Sequence, residues 1–301
     1  MNIIPEVKAL VKANIKFDLT EPTNLLIEKF SNAVGVVYQP VEVVFMAGAK
    51  NIEEKLNPDR ELNAVKRSLE IAEYQDKLIS LSERTKNRAL KIEAKKQANF
   101  DSIVTQAIPH LNANARPQDI DNDWAGNFHE KSRIVSDDVF QELWSRILAG
   151  EANAPGRFSK KTINILNDID KRGAELFRCL CCFCLLVDDR QVPFIFQPQR
   201  GDIYAKNGID LESVMYLDAL GLIRYDRMGV ITYDYKEHRT VSYFDTQFSL
   251  TFPDEGVVFH TGSISFTYAG EQLMSVCKVD EIDGFVEYLK ARWVETRISF
   301  S

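Results

Sequence analysis

The most regular hydrophobic pattern in the chain lies between residues 57 and 99. Apolar residues recur there at intervals of three and four, and the segment contains no glycine and no proline except Pro58. This spacing predicts one long helix over about 57–99, because it brings the apolar side chains onto one helical face. A shorter helix is predicted to follow, from Phe100 to about Asn112. The apolar stripe of the long helix comprises Leu62, Val65, Leu69, Ala72 and Ile79.

After Leu81 the predicted long helix becomes basic, with only Glu83 and Glu93 interspersed among its cations. A solvated helix surface is one interpretation. A patch for nucleic acid or anionic membrane is the other, because clustered cations release counterions when they bind phosphates. Aromatic residues are not interleaved with these charges, so stacking on single-stranded bases is not supported. The cations are Arg84, Lys86, Arg88, Lys91, Lys95 and Lys96.

Two capped helices joined by a tight turn are predicted in the middle of the chain. Ser136 can cap the first helix, with Asp137 and Asp138 in its first turn. The Asn-Ala-Pro-Gly segment at 153–156 ends that helix, and Ser159 caps the next. The apolar face of the first helix comprises Phe140, Leu143, Trp144, Ile147 and Leu148.

The C-terminal part changes from helical to strand patterns. AELFRCLCCFCLLV is predicted to be an apolar helix, and IDLESVMYLDALGLIRYD a helix that ends in a Leu-Gly turn leading into a strand. GVITYDYK, TVSYFDTQFSLTF, GVVFHTG and SISFTYAG alternate and are rich in β-branched and aromatic residues, which favours antiparallel strands. A last amphipathic helix is predicted from about Ile282 to Thr296. Helix, turn and hairpin strands in this order are typical of winged-helix modules.

These elements predict an α+β protein with two domains. Residues 1–155 form a helical N-terminal region with the long charged helix, and residues 156–301 form a winged-helix-like α+β C-terminal domain.

Charge is distributed unevenly along the 301 residues. The formal net charge is −7 and the isoelectric point is near 5.3, which argues against a generally basic nucleic-acid binder. Residues 1–118 carry 17 Lys and Arg against 15 Asp and Glu, and the remainder carries 20 against 29. A surface for a polyanion is therefore expected in the first part of the chain.

The sequence favours a cytoplasmic protein. MNIIPEVKALVK lacks the pattern of a secretory signal, and four of the five cysteines crowd together at Cys179, Cys181, Cys182 and Cys184, which suits a reducing compartment. The most apolar stretch, residues 33–49, is shorter than the roughly 20 residues that span a membrane and is interrupted by Pro40. We expect a buried element there, with membrane contact as the alternative.

The segment DIDNDWAGNFHE, residues 119–130, has carboxylates spaced nearly as in a helix-loop-helix calcium site. The sixth position of such a loop needs a positive φ and normally holds glycine, whereas Trp124 stands there. We therefore predict that Asp119 or Asp121 caps a helix and that Trp124 and Phe128, four residues apart, pack into the core.

Other polar groups give little sign of chemistry. Cys181 and Cys184 have the spacing of a zinc or redox motif, but the predicted apolar helix around them favours core packing. Arg157, Lys160 and Lys161 flank the helix capped by Ser159 and form a weak candidate for an anion site. The chain lacks recognised nucleophile, phosphate-loop and dinucleotide motifs. We predict no metal, no cofactor and no catalytic residues.

The central sequence resembles a bacterial family known only as a domain of unknown function. The residues that carry the resemblance are IDNDWAGNF, followed by VSDDVFQELWSRILAGEANAPGRFSKKTINILNDIDKRGAELF, with LIEKFSNAVGVVYQP, KKQANFDSIVTQA and FTYAGEQL also similar. The Leu-Trp-x-x-Ile-Leu-Ala segment is also reminiscent of abortive-infection alpha proteins. That likeness implies a role in bacterial defence against phage.

From this sequence we predict a non-catalytic interaction protein, homo-oligomeric through its long helix and with an unknown protein partner, that acts in phage defence or stress regulation. One alternative is a DNA-associated winged-helix regulator, although its recognition helix, near Leu211–Leu220, is acidic. The other alternative is a membrane-active effector that uses residues 33–49.

Overall fold

A computed structural model describes residues 21–34, 81–196, 202–226, 231–233, 238–252 and 259–301. The chain divides into two compact units, Met1–Gly156 and Arg157–Ser301, which we call the first unit and the second unit. Residues 35–80 lie outside the described residues. They include most of the apolar stretch 33–49 and the first part of the predicted long helix, with its apolar stripe. None of the helices described is both long enough and apolar enough to cross a bilayer.

Helices make up the described part of the first unit. Two short 3₁₀ turns, Ile108–His110 and Pro117–Asp119, connect them. The helices are α1 (Glu21–Val34), α2 (Leu81–Ala107), α3 (Asn122–Ser132) and α4 (Asp138–Asn153).

Helix α2 corrects our prediction of a break near Asn99. It continues without interruption to Ala107, and the separate helix from Phe100 to Asn112 does not exist. The prediction was wrong because Phe100, Ile103 and Val104 are buried against the rest of the unit. The free energy gained by burying these side chains outweighs the low helix propensity of Asn99, which costs well under 1 kcal/mol relative to alanine.

Side-chain caps fix the starts of α3 and α4. Asp121 caps α3 by accepting a hydrogen bond from the backbone N–H of Trp124 at 2.8 Å, as predicted. Helix α4 is capped by Asp137 and not by Ser136, because the Asp137 carboxylate is placed to accept from the N–H of Phe140 at 3.3 Å.

An aromatic cluster forms the core of the first unit. Phe30 of α1 lies 5.4 Å from Phe100 and 6.0 Å from Phe128, measured between ring centroids. Phe128 in turn stacks on Trp124 at 5.0 Å and meets Trp144 edge-on at 5.2 Å. Each such pair contributes roughly 0.5–1.5 kcal/mol beyond its buried area. This cluster joins α1, α2, α3 and α4.

The second unit combines helices with an antiparallel sheet, so the protein is α+β as predicted. Its helices are α5 (Lys160–Asp168), α6 (Lys171–Cys181), α7 (Ile203–Lys206), α8 (Leu211–Ala219), α9 (Tyr268–Met274) and α10 (Phe285–Glu295). Its strands are β1 (Cys184–Val187), β2 (Arg190–Pro193), β3 (Ile223–Tyr225), β4 (Ile231–Tyr233), β5 (His238–Tyr243), β6 (Thr246–Thr251), β7 (Phe259–Gly262), β8 (Ile264–Phe266) and β9 (Ser299–Phe300).

The strands form one larger sheet and two pairs. The five-stranded sheet has the order β2-β1-β5-β6-β9, while β3 pairs with β8 and β4 pairs with β7, all antiparallel. Helix α8 leads into β3 through the predicted Leu-Gly turn. The partner of β3 is the distant β8 and not the next strand, so the winged-helix-like description is not confirmed and stays a prediction.

Two predicted elements of the second unit change character partway along. The apolar helix predicted around the cysteines ends at Cys181, and β1 begins at Cys184. Strand β1 then pairs with β2 through a two-residue turn in which Asp188 and Asp189 adopt positive φ angles of 47° and 63°. The strand predicted over SISFTYAG ends at Phe266, because Thr267 caps α9.

Candidate functional site

The first half of α2 is surrounded by solvent. Residues 83–95, which we call the free half, are exposed except for the half-buried Asn87. Even its apolar side chains lie in water, with Leu90 68% exposed and Ile92 49% exposed. Residues 96–107, the packed half, carry the buried Phe100 and Ile103 instead. The free half therefore presents a helical surface that the described residues leave uncovered.

Four cations of the free half share one line along the helix. Arg84, Arg88, Lys91 and Lys95 follow one another at intervals of four, three and four residues, and we call them the cationic stripe. Because each residue turns a helix by about 100°, they fall within an arc of about 60° and span about 16 Å. The arc that carries the buried Phe100, Ile103, Val104 and Ala107 is centred roughly 140° away on the same helix. The stripe thus faces away from the core.

Within the described part of the chain, no carboxylate lies within 4.0 Å of a charged nitrogen of the cationic stripe. The nearby Glu93 is instead bonded to Arg133, with 2.7 Å between Nη1 and Oε1. Like charges at three-residue and four-residue spacing repel one another by a few tenths of a kcal/mol per pair. An anionic partner would relieve that repulsion and release counterions.

Lys86 and Lys96 belong to the same predicted group of cations but lie off the stripe. Helical rotation places them about 110° or more from its centre. They are part of the same helix, and Lys86 is exposed whereas Lys96 is half-buried. The six cations predicted as one patch therefore divide into a stripe of four and two outliers.

The predicted anion site at α5 is largely occupied by the protein itself. Arg157, Lys160 and Lys161 are exposed. Ser159 Oγ accepts a hydrogen bond from the N–H of Thr162 at 3.1 Å, and the Gln272 amide oxygen accepts from the N–H of Ser159 at 3.0 Å. Because these donors are already used, the helix start offers less to an external anion than its sequence indicated.

The predicted signature residues have a structural role. Trp124, Phe128, Trp144, Ile147 and Leu148 are buried in the first unit. Leu143, also in the predicted set, is only half-buried. The conspicuous central motif therefore builds the core that anchors α2 and does not form a reactive surface.

The four clustered cysteines have the fifth cysteine of the chain as a neighbour in space, although it is distant from them along the sequence. Cys277, which follows α9, shares a hydrogen bond with Cys181 at the end of α6. Burial raises the pKa of Cys181 and of Cys184, and it raises the pKa of Cys179 to about 11, with Glu175 acting in the same direction. Thiols with raised pKa values stay protonated and are weak nucleophiles and weak metal ligands.

Metal binding gains no support from the described residues, where no three His, Cys, Asp or Glu side chains converge on a point. In the acidic segment, Asp121 is used as a helix cap and the Asp119 carboxylate lies 3.5 Å from Arg116. Neither role requires an ion.

A pocket in the second unit was missed by the sequence analysis. It brings His260 of β7 beside Arg292 of α10, residues that are 32 positions apart. The remaining lining residues are Phe196, Trp293, Thr296 and Ile298. No local motif could have indicated this site, because its residues come from three separate segments.

Comparison with known proteins identifies a family but not a function. No curated protein and no solved structure matches the chain. A family model described as "Protein of unknown function (DUF2806)" matches residues 83–290, from the free half of α2 into α10. That match covers more than half of the sequence, and the chain therefore belongs to this family of unknown function.

Proposed function

We propose that this protein is a non-catalytic interaction protein that holds an anionic macromolecule on the cationic stripe of α2. The observation that carries the proposal is the arrangement of Arg84, Arg88, Lys91 and Lys95 on one exposed face, turned away from the core. The resemblance to abortive-infection alpha proteins suggests phage defence or stress regulation as the setting.

The partner that the stripe fits best is the phosphate backbone of a duplex nucleic acid. A rigid row of cations about 16 Å long can meet several phosphates, and contacts of this kind position a protein without reading bases. The free half offers no aromatic side chain on which a single strand could stack. Binding of this type would be independent of sequence and sensitive to salt.

Helix α8 is a poor alternative for the nucleic-acid surface. Its exposed or half-exposed side chains include Glu212 and Asp218, and Arg172 is already bonded to Glu212 at 2.7 Å. An acidic helix would repel a phosphate backbone. The winged-helix regulator proposed from the sequence therefore ranks below a binding protein that uses α2.

Two matched variants test the proposal by salt-titrated shift assays with duplex DNA. The first variant, Lys91→Gln/Lys95→Gln, removes two positive charges from the stripe. The control variant, Lys86→Gln/Lys96→Gln, removes two positive charges that lie on the same helix but outside the stripe. Each phosphate contact contributes about 0.9 to the slope of log K against log salt. We expect the first variant to lower that slope by about 2 and the second to change it little.

Two results would count against nucleic-acid binding: no shift of wild-type protein at low salt, or equal losses in the two variants. Circular dichroism of both variants would establish that α2 remains helical, since glutamine has nearly the helix propensity of lysine.

A second candidate is self-association, in which the stripe of one copy meets acidic surface of another. The observation that favours it is the excess of 29 acidic over 20 basic residues in 119–301. Sedimentation of the wild-type protein at low and high salt tests it. Assembly that dissolves with salt and is lost in Lys91→Gln/Lys95→Gln would support this partner, and a monomer under all conditions would exclude it.

A further inference from the structure

Two cysteine thiols of the second unit lie against each other, although about a hundred residues separate them along the chain. Cys181 is the last residue of α6, and Cys277 follows α9. Their side chains share a hydrogen bond, and all five cysteines of the chain are thiols. A disulfide forms only between cysteines that are close and directed toward each other, and a shared hydrogen bond meets both conditions.

Further contacts hold the segment between α9 and α10, which carries the fifth cysteine, against the end of α6. The N–H of Asp280 donates to the Cys182 sulfur at 3.5 Å, and the Arg178 guanidinium donates to the Asp280 carboxylate at 2.9 Å. The N–H of Ile282 donates to the Tyr243 hydroxyl at 2.8 Å, and that hydroxyl donates to the carbonyl of Cys182 at 3.0 Å. The contact between the two thiols is therefore one of a continuous set.

The two thiols differ in their access to solvent. Cys181 is 1% exposed, whereas Cys277 is only half-buried. Burial also raises the pKa of the Cys181 thiol, which keeps it protonated and slow to react with an external reagent. A small oxidant therefore meets Cys277 first. Cys181 needs no access to solvent, because its reaction partner is the neighbouring sulfur.

The other cysteines are less suited to this reaction. Cys179 is half-buried, but its thiol donates to the Glu175 carboxylate at 3.6 Å, and burial together with Glu175 raises its pKa to about 11. Cys182 is buried, and its thiol donates to the carbonyl of Arg178 at 3.3 Å. Cys184 is buried within β1. The thiols of Cys179 and Cys182 are thus directed toward oxygen atoms.

We propose that Cys181 and Cys277 form a redox switch that a hydroperoxide closes into a disulfide. In the first step the Cys277 sulfur attacks the peroxide, the O–O bond breaks, and the products are a sulfenic acid on Cys277 and water or an alcohol. In the second step the Cys181 sulfur attacks the sulfenic sulfur, the S–OH bond breaks, and the hydroxide leaves as water with the Cys181 proton. Two thiols are oxidised and one hydroperoxide is reduced.

The disulfide would attach the segment between α9 and α10 covalently to α6. It closes a loop of about 100 residues and so lowers the conformational entropy of the unfolded chain. In the thiol form the attachment depends on hydrogen bonds and on the pair Arg178–Asp280, in which the carboxylate is 82% exposed. Exposed ion pairs contribute little to stability. Oxidation therefore stabilises the second unit, and the switch is independent of the cationic stripe.

The test uses the full-length protein, reduced and then exposed to hydrogen peroxide at about pH 8, where thiols begin to ionise. Trypsin cleaves after Arg and Lys, so peptide 179–190 carries four cysteines and peptide 240–278 carries the fifth. Mass spectrometry without reductant should show these two peptides joined within one chain, with the loss of two hydrogen atoms. Treatment with a dithiol should separate them.

Single alanine variants assign the cysteine partners. Cys277→Ala and Cys181→Ala should abolish the joined peptide, whereas Cys179→Ala and Cys182→Ala should retain it. Cys179→Ala is the matched control for Cys277→Ala, because both replace a half-buried cysteine of the second unit. The variants at these two surface positions keep the test decisive if Cys181→Ala does not fold.

Thermal unfolding measures the consequence of closing the switch. Oxidation should raise the Tm of the wild-type protein by roughly 5–15 °C and that of Cys277→Ala by less than about 2 °C, because only the wild type gains the cross-link.

Three outcomes would overturn the proposal: no joined peptide after peroxide treatment of the wild-type protein, a joined peptide that persists in Cys181→Ala, or a gain in Tm that is no larger in the wild type than in Cys277→Ala.

Discussion

The two halves of α2 belong to one helix but are stabilised in different ways. In the packed half, Phe100, Ile103 and Val104 are buried against the aromatic core, and Ser102 donates to Gln141 of α4 at 2.7 Å. In the free half, nearly every side chain is exposed. Most helical stability in proteins comes from packing of an amphipathic face, so the free half depends on propensity and on continuation of the helix that follows it.

Near the boundary between the halves, α2 is bonded to Arg133, the C-cap residue of α3. Its guanidinium bonds to Glu93 at 2.7 Å, and its backbone oxygen accepts from Asn99 at 3.1 Å. Toward the N-terminus from Glu93, the side chains of residues 83–92 are exposed except for the half-buried Asn87. In a helix organised in this way, one half packs into the core and the other half is available to bind a partner. Binding segments of this kind are expected to have low local stability.

The largest effect should come from truncating the packed half. Phe100→Ala removes a fully buried ring that packs against Phe30 and His129, with 5.4 Å and 4.6 Å between the ring centroids. We expect the free energy of unfolding to fall by about 3–5 kcal/mol, because the cavity adds to the lost burial. Urea denaturation measures this change. A loss below 1 kcal/mol would mean that α2 is not anchored by its packed half.

A pH-dependent effect should come from His129 of α3, whose ring packs edge-on against Phe100 of the packed half. Burial lowers the pKa of His129 from its usual value, and the charge of Arg133 adds to this. The unfolded imidazole titrates near pH 6.5 and the folded one below it, so the unfolded state binds more protons in this range. Stability is therefore complete above about pH 6.5 and declines as the pH falls from there toward the folded pKa.

Replacing the imidazole tests this assignment. His129→Gln should flatten the dependence of the unfolding free energy on pH between about 7.5 and 5.5, even if the variant is less stable throughout. Urea denaturation at several pH values provides the slope. If the variant keeps the wild-type slope, another group is responsible.

The sequence was informative where a structure depends on neighbours along the chain. Asp121 and Ser159 cap helices as predicted, and Trp124 and Phe128 pack inward at four-residue spacing, because these contacts join residues only three or four positions apart. The basic residues of α2 could also be placed on a helix. Their division into a stripe and two outliers follows from helical rotation, but its orientation depends on where Phe100 packs.

Sequence reasoning was wrong or silent where distant segments meet. The helix break near Asn99 was wrong because contacts with α1, α3 and α4 decide the matter. The pocket at His260 and Arg292 depends on how β7 packs against α10, and the approach of Cys277 to Cys181 depends on how the segment after α9 packs against α6. Residue types alone do not specify such proximity when the separation along the chain is 30 residues or more.

A matched pair of substitutions sharpens the boundary between the halves. Ala94 and Ala98 are both exposed and lie on the same face of α2, one in each half. Replacing an exposed helical alanine with glycine costs about 1 kcal/mol when the surrounding helix must stay formed. We expect Ala98→Gly to lower the global free energy of unfolding by about that amount.

For Ala94→Gly we expect a smaller global loss, because the free half can open locally before the core unfolds. Its cost should appear in amide hydrogen exchange, as faster exchange over residues 85–95 with little change over 100–107. Equal global losses in the two variants would show that the helix behaves as one cooperative unit.

The smallest effect should come from the most apolar residue of the free half. Leu90 is 68% exposed, so Leu90→Gln removes little buried area and retains a good helix former. Surface substitutions of this kind change stability by less than about 0.5 kcal/mol. If urea denaturation showed a loss of 2 kcal/mol or more that grew with protein concentration, Leu90 would be covered by a second copy, since assembly stabilises by mass action. If the loss instead stays below about 0.5 kcal/mol, Leu90 is dispensable for stability, and its exposure on the cationic helix assigns it to partner binding, for which the shift assay provides the readout.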